Sequence, residues 1–181
     1  MLMVNRDYFI AVKQAAEQQS FRTVTSVSEE QAEKQRHMEM AVRFLVHTNI
    51  DYDVRLDVEE YIDEGIVTLA KSGDHSTAVN QIDRTFELLN IAAGNGALRR
   101  HQNGVHIGKV GFVGLEVIAV GVAKNLGAIT ALGTEEAIAF VKNRLELFWL
   151  QPDAENFTSP GLRGTIRIKR TVPFGATWFN P

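Results

Sequence analysis

The chain has 181 residues, 45% of them hydrophobic and 23% charged, the size and composition of one domain folding around its own core. Its formal charge of −3 excludes a wholly basic nucleic-acid clamp but leaves room for a local basic patch. No cysteine occurs, which excludes disulfides, thiolate zinc sites, iron–sulfur ligation and cysteine nucleophiles together.

Val4, Tyr8, Ala11, Val12 and Ala15 recur at helical intervals and predict a first helix over 4–18, with Asn5 as its best cap. A polar connector, Gln19 to Val27, is expected next. Ser28-Glu29-Glu30-Gln31 has the form of a capping box opening a long helix to about His47. Asp57 caps a third helix ending near Lys71, and Ser72-Gly73-Asp74 breaks it. A fourth runs from about Ser76 to Ala93, carrying Val79, Ile82, Phe86 and Leu89 on one face. Gly94-Asn95-Gly96 stops it, and Ala97 to Gly108 reads as a loop or short helical turn.

The fifth helix, Val110 to Asn125, is apolar almost all round and belongs at the centre of a bundle. Its glycines, Gly111, Gly114 and Gly121, suit close helix–helix approach. Its most apolar window, Val110 to Ala123, is 14 residues long and contains Glu116, short of the about 20 apolar residues a membrane span needs. A sixth helix follows from Gly133-Thr134-Glu135-Glu136 to about Leu150. All four prolines lie beyond residue 150, and Thr165-Ile166-Arg167-Ile168-Lys169-Arg170 alternates as an extended arm or edge strand would. The expectation is an all-α bundle of about six helices over 1–150, with an extended basic arm over 151–181 packed on it or projecting from it.

Charge is unevenly spread. From Ser28 to Ile66 there are eleven acidic and four basic residues, a local balance of −7. From Pro160 to Pro181 there are Arg163, Arg167, Lys169 and Arg170 with no acid, a balance of +4. Such an arm either docks on the acidic helices, in this chain or a neighbour, or contacts phosphates.

Few constellations carry chemistry. Glu59–Asp63 and Glu60–Glu64 share helix faces near an N-terminus, where the helix dipole favours such charge without any cleft. Glu116 lies midway along the most apolar helix and must be paired or protonated there. Arg99, Arg100 and Lys109 are the partners closest in sequence, and a buried structural acid is the expected role. Among His37, His47, His75, His101 and His106, only His101 and His106 share a short segment. With no acid between them, they read as a solvated loop rather than a metal site. The glycine clusters at 94–96 and 108–114 lack the strand–loop–helix setting and Gly-Lys-Ser/Thr ending of a phosphate loop. No serine sits on a strand-to-helix elbow. No catalytic, cofactor-binding or metal-ligating residue is therefore assigned.

One ordered series goes further. It comprises Leu2-Met3-Val4-Asn5-Arg6-Asp7-Tyr8-Phe9, Arg43-Phe44-Leu45 and Leu56-Asp57-Val58-Glu59-Glu60-Tyr61-Ile62-Asp63. It continues with Phe86-Glu87-Leu88-Leu89, Ala97-Leu98-Arg99-Arg100 and Leu115-Glu116-Val117-Ile118-Ala119-Val120-Gly121. In order and spacing these segments resemble the helical C-terminal half of the GmrSD-type restriction endonuclease N-terminal-domain family. The resemblance covers nearly the whole chain. It implies a neighbouring ParB/sulfiredoxin-like domain with an Asp-Gly-Gln-Gln-Arg-type motif, linked to nucleotide hydrolysis and defence against foreign DNA, and in some members an HNH nuclease domain. Neither motif occurs here. The nucleotide site is not carried over to any position, and a nucleotide would belong to the missing N-terminal domain.

The leading expectation is a non-catalytic helical scaffold or interaction domain of a bacterial restriction or phage-defence protein. Its partner would be the catalytic ParB/sulfiredoxin-like domain or another copy of itself. The alternatives are a DNA-binding module using Arg163, Arg167, Lys169 and Arg170 with Arg99 and Arg100, and a small-molecule enzyme centred on Glu116. The opening residues lack a signal-peptide pattern, so a cytoplasmic protein without a membrane partner is expected.

Overall fold

The computed structural model describes residues 4–27 and 36–181. Helix α1 spans Arg6–Ala16, and Asn5 caps it as expected: its side chain accepts a hydrogen bond from the Tyr8 N–H at 3.0 Å. The expected connector is in fact a second helix, α2, Gln19–Thr25. Its polar residues conceal an apolar stripe of Phe21, Val24 and the Thr25 side chain, spaced i, i+3, i+4, and Phe21 packs on Phe86 with ring centroids 4.4 Å apart. The capping box at Ser28 lies outside the described residues. The helix expected from it is seen as α3, Arg36–Asn49.

Helix α4, Val58–Ser72, begins with a full capping box. Asp57 accepts from the Glu60 N–H at 2.9 Å, and Glu60 accepts from the Asp57 N–H at 3.1 Å. Gly73, with φ of 72°, ends α4 in the left-handed conformation, and Asp74 caps α5, His75–Ala93. Helices α1 and α2 pack on α5, and α3 packs between α1 and α4.

The segment expected as a loop is a β-hairpin, β1 (Arg100–Gln102) with β2 (Val105–Ile107). Its turn is Asn103-Gly104 with φ of 52° and 79°, the pair of positive angles that a two-residue type I′ turn requires. The apolar fifth helix is present and buried, but it is not uniform: Gly114–Ala119 forms a π-helical stretch leading into α6, Val120–Lys124. After a turn at Asn125 the chain continues as the short α7, Leu126–Thr130, where the sequence pattern stops the helix. Helix α8, Thr134–Phe148, packs on α5.

The fold is mostly α, as expected, but the C-terminal arm is not extended. It forms α9, Pro152–Phe157, and α10, Gly164–Trp178. Helix α10 lies along the π stretch and α6. The alternation over 165–170 misleads because the 3.6-residue period also fits: Ile168, Thr171 and Gly175 face inward together. Tertiary packing outweighs the β-branched residues and the interior Pro173, which stands on the exposed side. A Cβ on Gly121 would meet the Gly175 carbonyl oxygen at 2.6 Å, and one on Gly175 would strike the Val117 backbone. Two glycines thus let the helices cross at backbone contact. Among the described residues, no helix is long and apolar enough to cross a membrane.

Candidate functional site

The π stretch brings Glu116 to face α10. The carboxylate is 1% exposed, and Arg167 grips it bidentately: Nε reaches Oε1 and Oε2 at 3.1 and 3.0 Å, and Nη2 reaches Oε1 at 2.9 Å. The Thr171 hydroxyl, one turn further along α10, donates to Oε2 at 2.8 Å. Glu116 is therefore a buried structural acid, but its partner comes from the far end of the chain. Of the partners nearest in sequence, Arg99 turns to the Ser26 hydroxyl at 2.6 Å, while Arg100 and Lys109 lie on a cleft wall.

This pair is one end of a balanced network. Phe112 carries three guanidinium groups around its ring, with the Arg36, Arg43 and Arg167 carbons at 4.5, 4.6 and 5.4 Å from the centroid. Arg36 and Arg43 both donate to Glu39, at 2.6 and 3.0 Å, and Arg43 also donates to Glu59 at 2.6 Å. Burial raises the Glu39 pKa, but the two arginine hydrogen bonds outweigh it and hold the carboxyl below its ordinary value. Beside the network, His47 is buried against Tyr61, and neither ring nitrogen has a hydrogen-bond partner among the described residues. Burial first, and then the charges of Arg43, Arg167 and Lys124, press its pKa down to about 3. The ring is neutral at physiological pH.

This region leaves little for an enzyme centred on Glu116. Both carboxylate oxygens are occupied, and the surrounding guanidiniums are matched by Glu39, Glu59 and Glu116. The pairs Glu59–Asp63 and Glu60–Glu64 sit at the start of α4 on exposed turns, with Glu60 spent on the capping box.

Two open features lie on either side of the first half of α10. One cleft of about 340 Å³ is walled by Arg100, Lys109, Phe112, Trp149, Phe157 and Arg167, with Thr158 and Ser159 at its edge. A second groove is lined by Tyr52, Val54, Thr165, Ile166, Lys169 and Arg170. No carboxylate lines either. Helix α10 starts between them at Arg163 without a side-chain cap, leaving first-turn N–H groups unclaimed by a capping side chain. Of the six basic residues singled out from sequence, Arg163, Lys169, Arg170 and Arg100 are exposed. Arg167 is held by Glu116, and Arg99 is half-buried. The basic segment also meets the acidic one within the chain, since Gly164 lies against the Val58 side chain at the start of α4.

One grouping escaped sequence reasoning. His101 and His106 face each other across the hairpin, and α8 brings Glu146 to them. The signal was present in part: Asn103-Gly104 is a type I′ turn signature, and it sets His101 opposite His106. Nothing in the sequence could place Glu146 beside them.

Compared with known proteins, the chain matches no family model, no curated protein and no solved structure. The resemblance to the GmrSD-type family rests on its ordered motifs alone.

Proposed function

We propose that this chain is a non-catalytic helical binding module that contacts DNA phosphates through the N-terminal half of α10. The observation that carries the reading is the pair of grooves flanking α10, which present Arg100, Lys109, Lys169 and Arg170 with no carboxylate in either lining. Cations grouped without carboxylates attract a polyanion, and each phosphate contact releases counterions. The uncapped start of α10 adds the positive end of a helix dipole to the same surface. The sealing of Glu116 by Arg167 and Thr171 supports binding rather than chemistry. The setting in DNA restriction and phage defence, with a ParB/sulfiredoxin-like catalytic domain as partner, rests on the resemblance.

The test is fluorescence anisotropy with a labelled DNA duplex across a salt series. Affinity is expected to fall steeply with salt, and the double variant Lys169→Ala/Arg170→Ala to flatten the logarithmic slope by about 2. Absent binding at low salt, or a slope the double variant leaves unchanged, overturns the reading.

A further inference from the structure

We propose that His101, His106 and Glu146 form a binding site for a divalent transition-metal ion of the zinc class, which clips the β-hairpin to α8. Each residue offers one donor atom, and the three atoms lie within 4.8 Å of one another. Two imidazoles and one carboxylate make the N2O set that zinc and cobalt favour over magnesium or calcium, and three protein ligands leave a fourth position for water.

The backbone explains why the donors converge. The Asn103-Gly104 turn fixes the register, so His101 pairs directly with His106 and both rings project from one face of the ribbon, centroids 4.9 Å apart. The His106 ring rests on Gly96, where a Cβ would come within 2.6 Å of it. Its Nδ1 is buried and has no hydrogen-bond partner among the described residues. Two ligands of one tetrahedral zinc stand about 3.3 Å apart. Side-chain rotations of about 1 Å therefore bring the donors from their present spacing onto an ion.

The ion has a structural task. An isolated two-stranded hairpin is marginal in water, and Val105 and Ile107 are exposed here. A metal bridging β1, β2 and α8 replaces the apolar packing the hairpin lacks. Its consequence reaches the cleft, whose lining includes Arg100, adjacent to His101 in β1, and Trp149, three residues beyond Glu146. This inference does not depend on DNA binding.

The experiment titrates the chelator-treated full chain with Co²⁺ and follows the visible absorption of tetrahedral cobalt. One equivalent is expected to bind and to be displaced by Zn²⁺. His101→Ala, His106→Ala and Glu146→Gln should each weaken binding at least about tenfold, while His75→Ala leaves it unchanged. Glu146→Gln conserves shape on an established helix, so its effect is not one of misfolding, and circular dichroism checks the histidine variants. As a second measurement, Zn²⁺ should slow amide exchange across β1 and β2 in the wild type but not in Glu146→Gln. No stoichiometric cobalt band, binding that survives Glu146→Gln, or binding lost with His75→Ala overturns the proposal.

Discussion

Arg167 and Arg170 stand three residues apart on one helix and live in different electrostatic worlds. Arg167 points inward, pinned to a carboxylate that is 1% exposed and ringed by Phe112 and two further arginines. Arg170, with Lys169, points into an open groove without an acid in its lining. At i, i+3 they lie only about 60° apart around the helix, so packing against the π stretch, not helical phase alone, separates them. Residues 167 and 171 face the π stretch, and 169 and 170 face water. The comparison teaches that a basic segment is not one functional unit. Its inward charge is a structural part whose loss costs folding, and its outward charges are available to a ligand at almost no cost to the fold.

The largest effect expected from that contrast is on stability. Arg167→Met leaves Glu116 without its charge partner in the core, and urea denaturation should show a loss of about 3–5 kcal/mol. The double variant Glu116→Gln/Arg167→Met removes the stranded charge and should regain much of it. If Arg167→Met were as mild as a surface substitution, the inward–outward distinction would collapse.

A second test uses pH. His47 has a folded-state pKa near 3, below its unfolded value of 6.5, so in acid the unfolded chain takes up a proton that the native protein refuses. Stability is therefore complete above about pH 6.5 and declines as pH falls toward 3, by about 1.4 kcal/mol per pH unit once well below 6.5. His47→Gln should remove that one-proton part of the slope between pH 6 and 4.5, measured by denaturation at each pH.

The smallest effect sharpens the outward side. Lys169→Ala/Arg170→Ala should change stability by no more than about 0.5 kcal/mol, because both side chains are exposed and unpaired among the described residues. The same variant is the one expected to lose salt-dependent DNA binding. A large stability loss would show that these charges are structural after all.

Much of the helical framework was legible because its signals are local. Asn5, Asp57 and Asp74 sit at helix starts and satisfy N–H groups within three residues, and Gly73 takes the positive φ that ends a helix. Burial of Glu116 was equally legible, since any residue on an all-apolar helix must go inside. Less legible were α2, whose apolar stripe is short, and the hairpin, whose Asn-Gly turn was the only cue. The C-terminal helix was misread because six residues satisfy two periods at once, and local pattern does not choose between them.

The sequence by itself determined the mostly helical class, the caps at Asn5 and Asp57, the central apolar helix and the need for a partner to Glu116. The tertiary structure decided that the partner is Arg167, 51 residues away, and that α10 crosses α6 at two glycines. It also decided that Glu146 joins a histidine pair on the hairpin. The reason is range. Capping and periodicity act over one or two turns, whereas a buried charge is satisfied by whatever the packing of distant elements brings within hydrogen-bond reach.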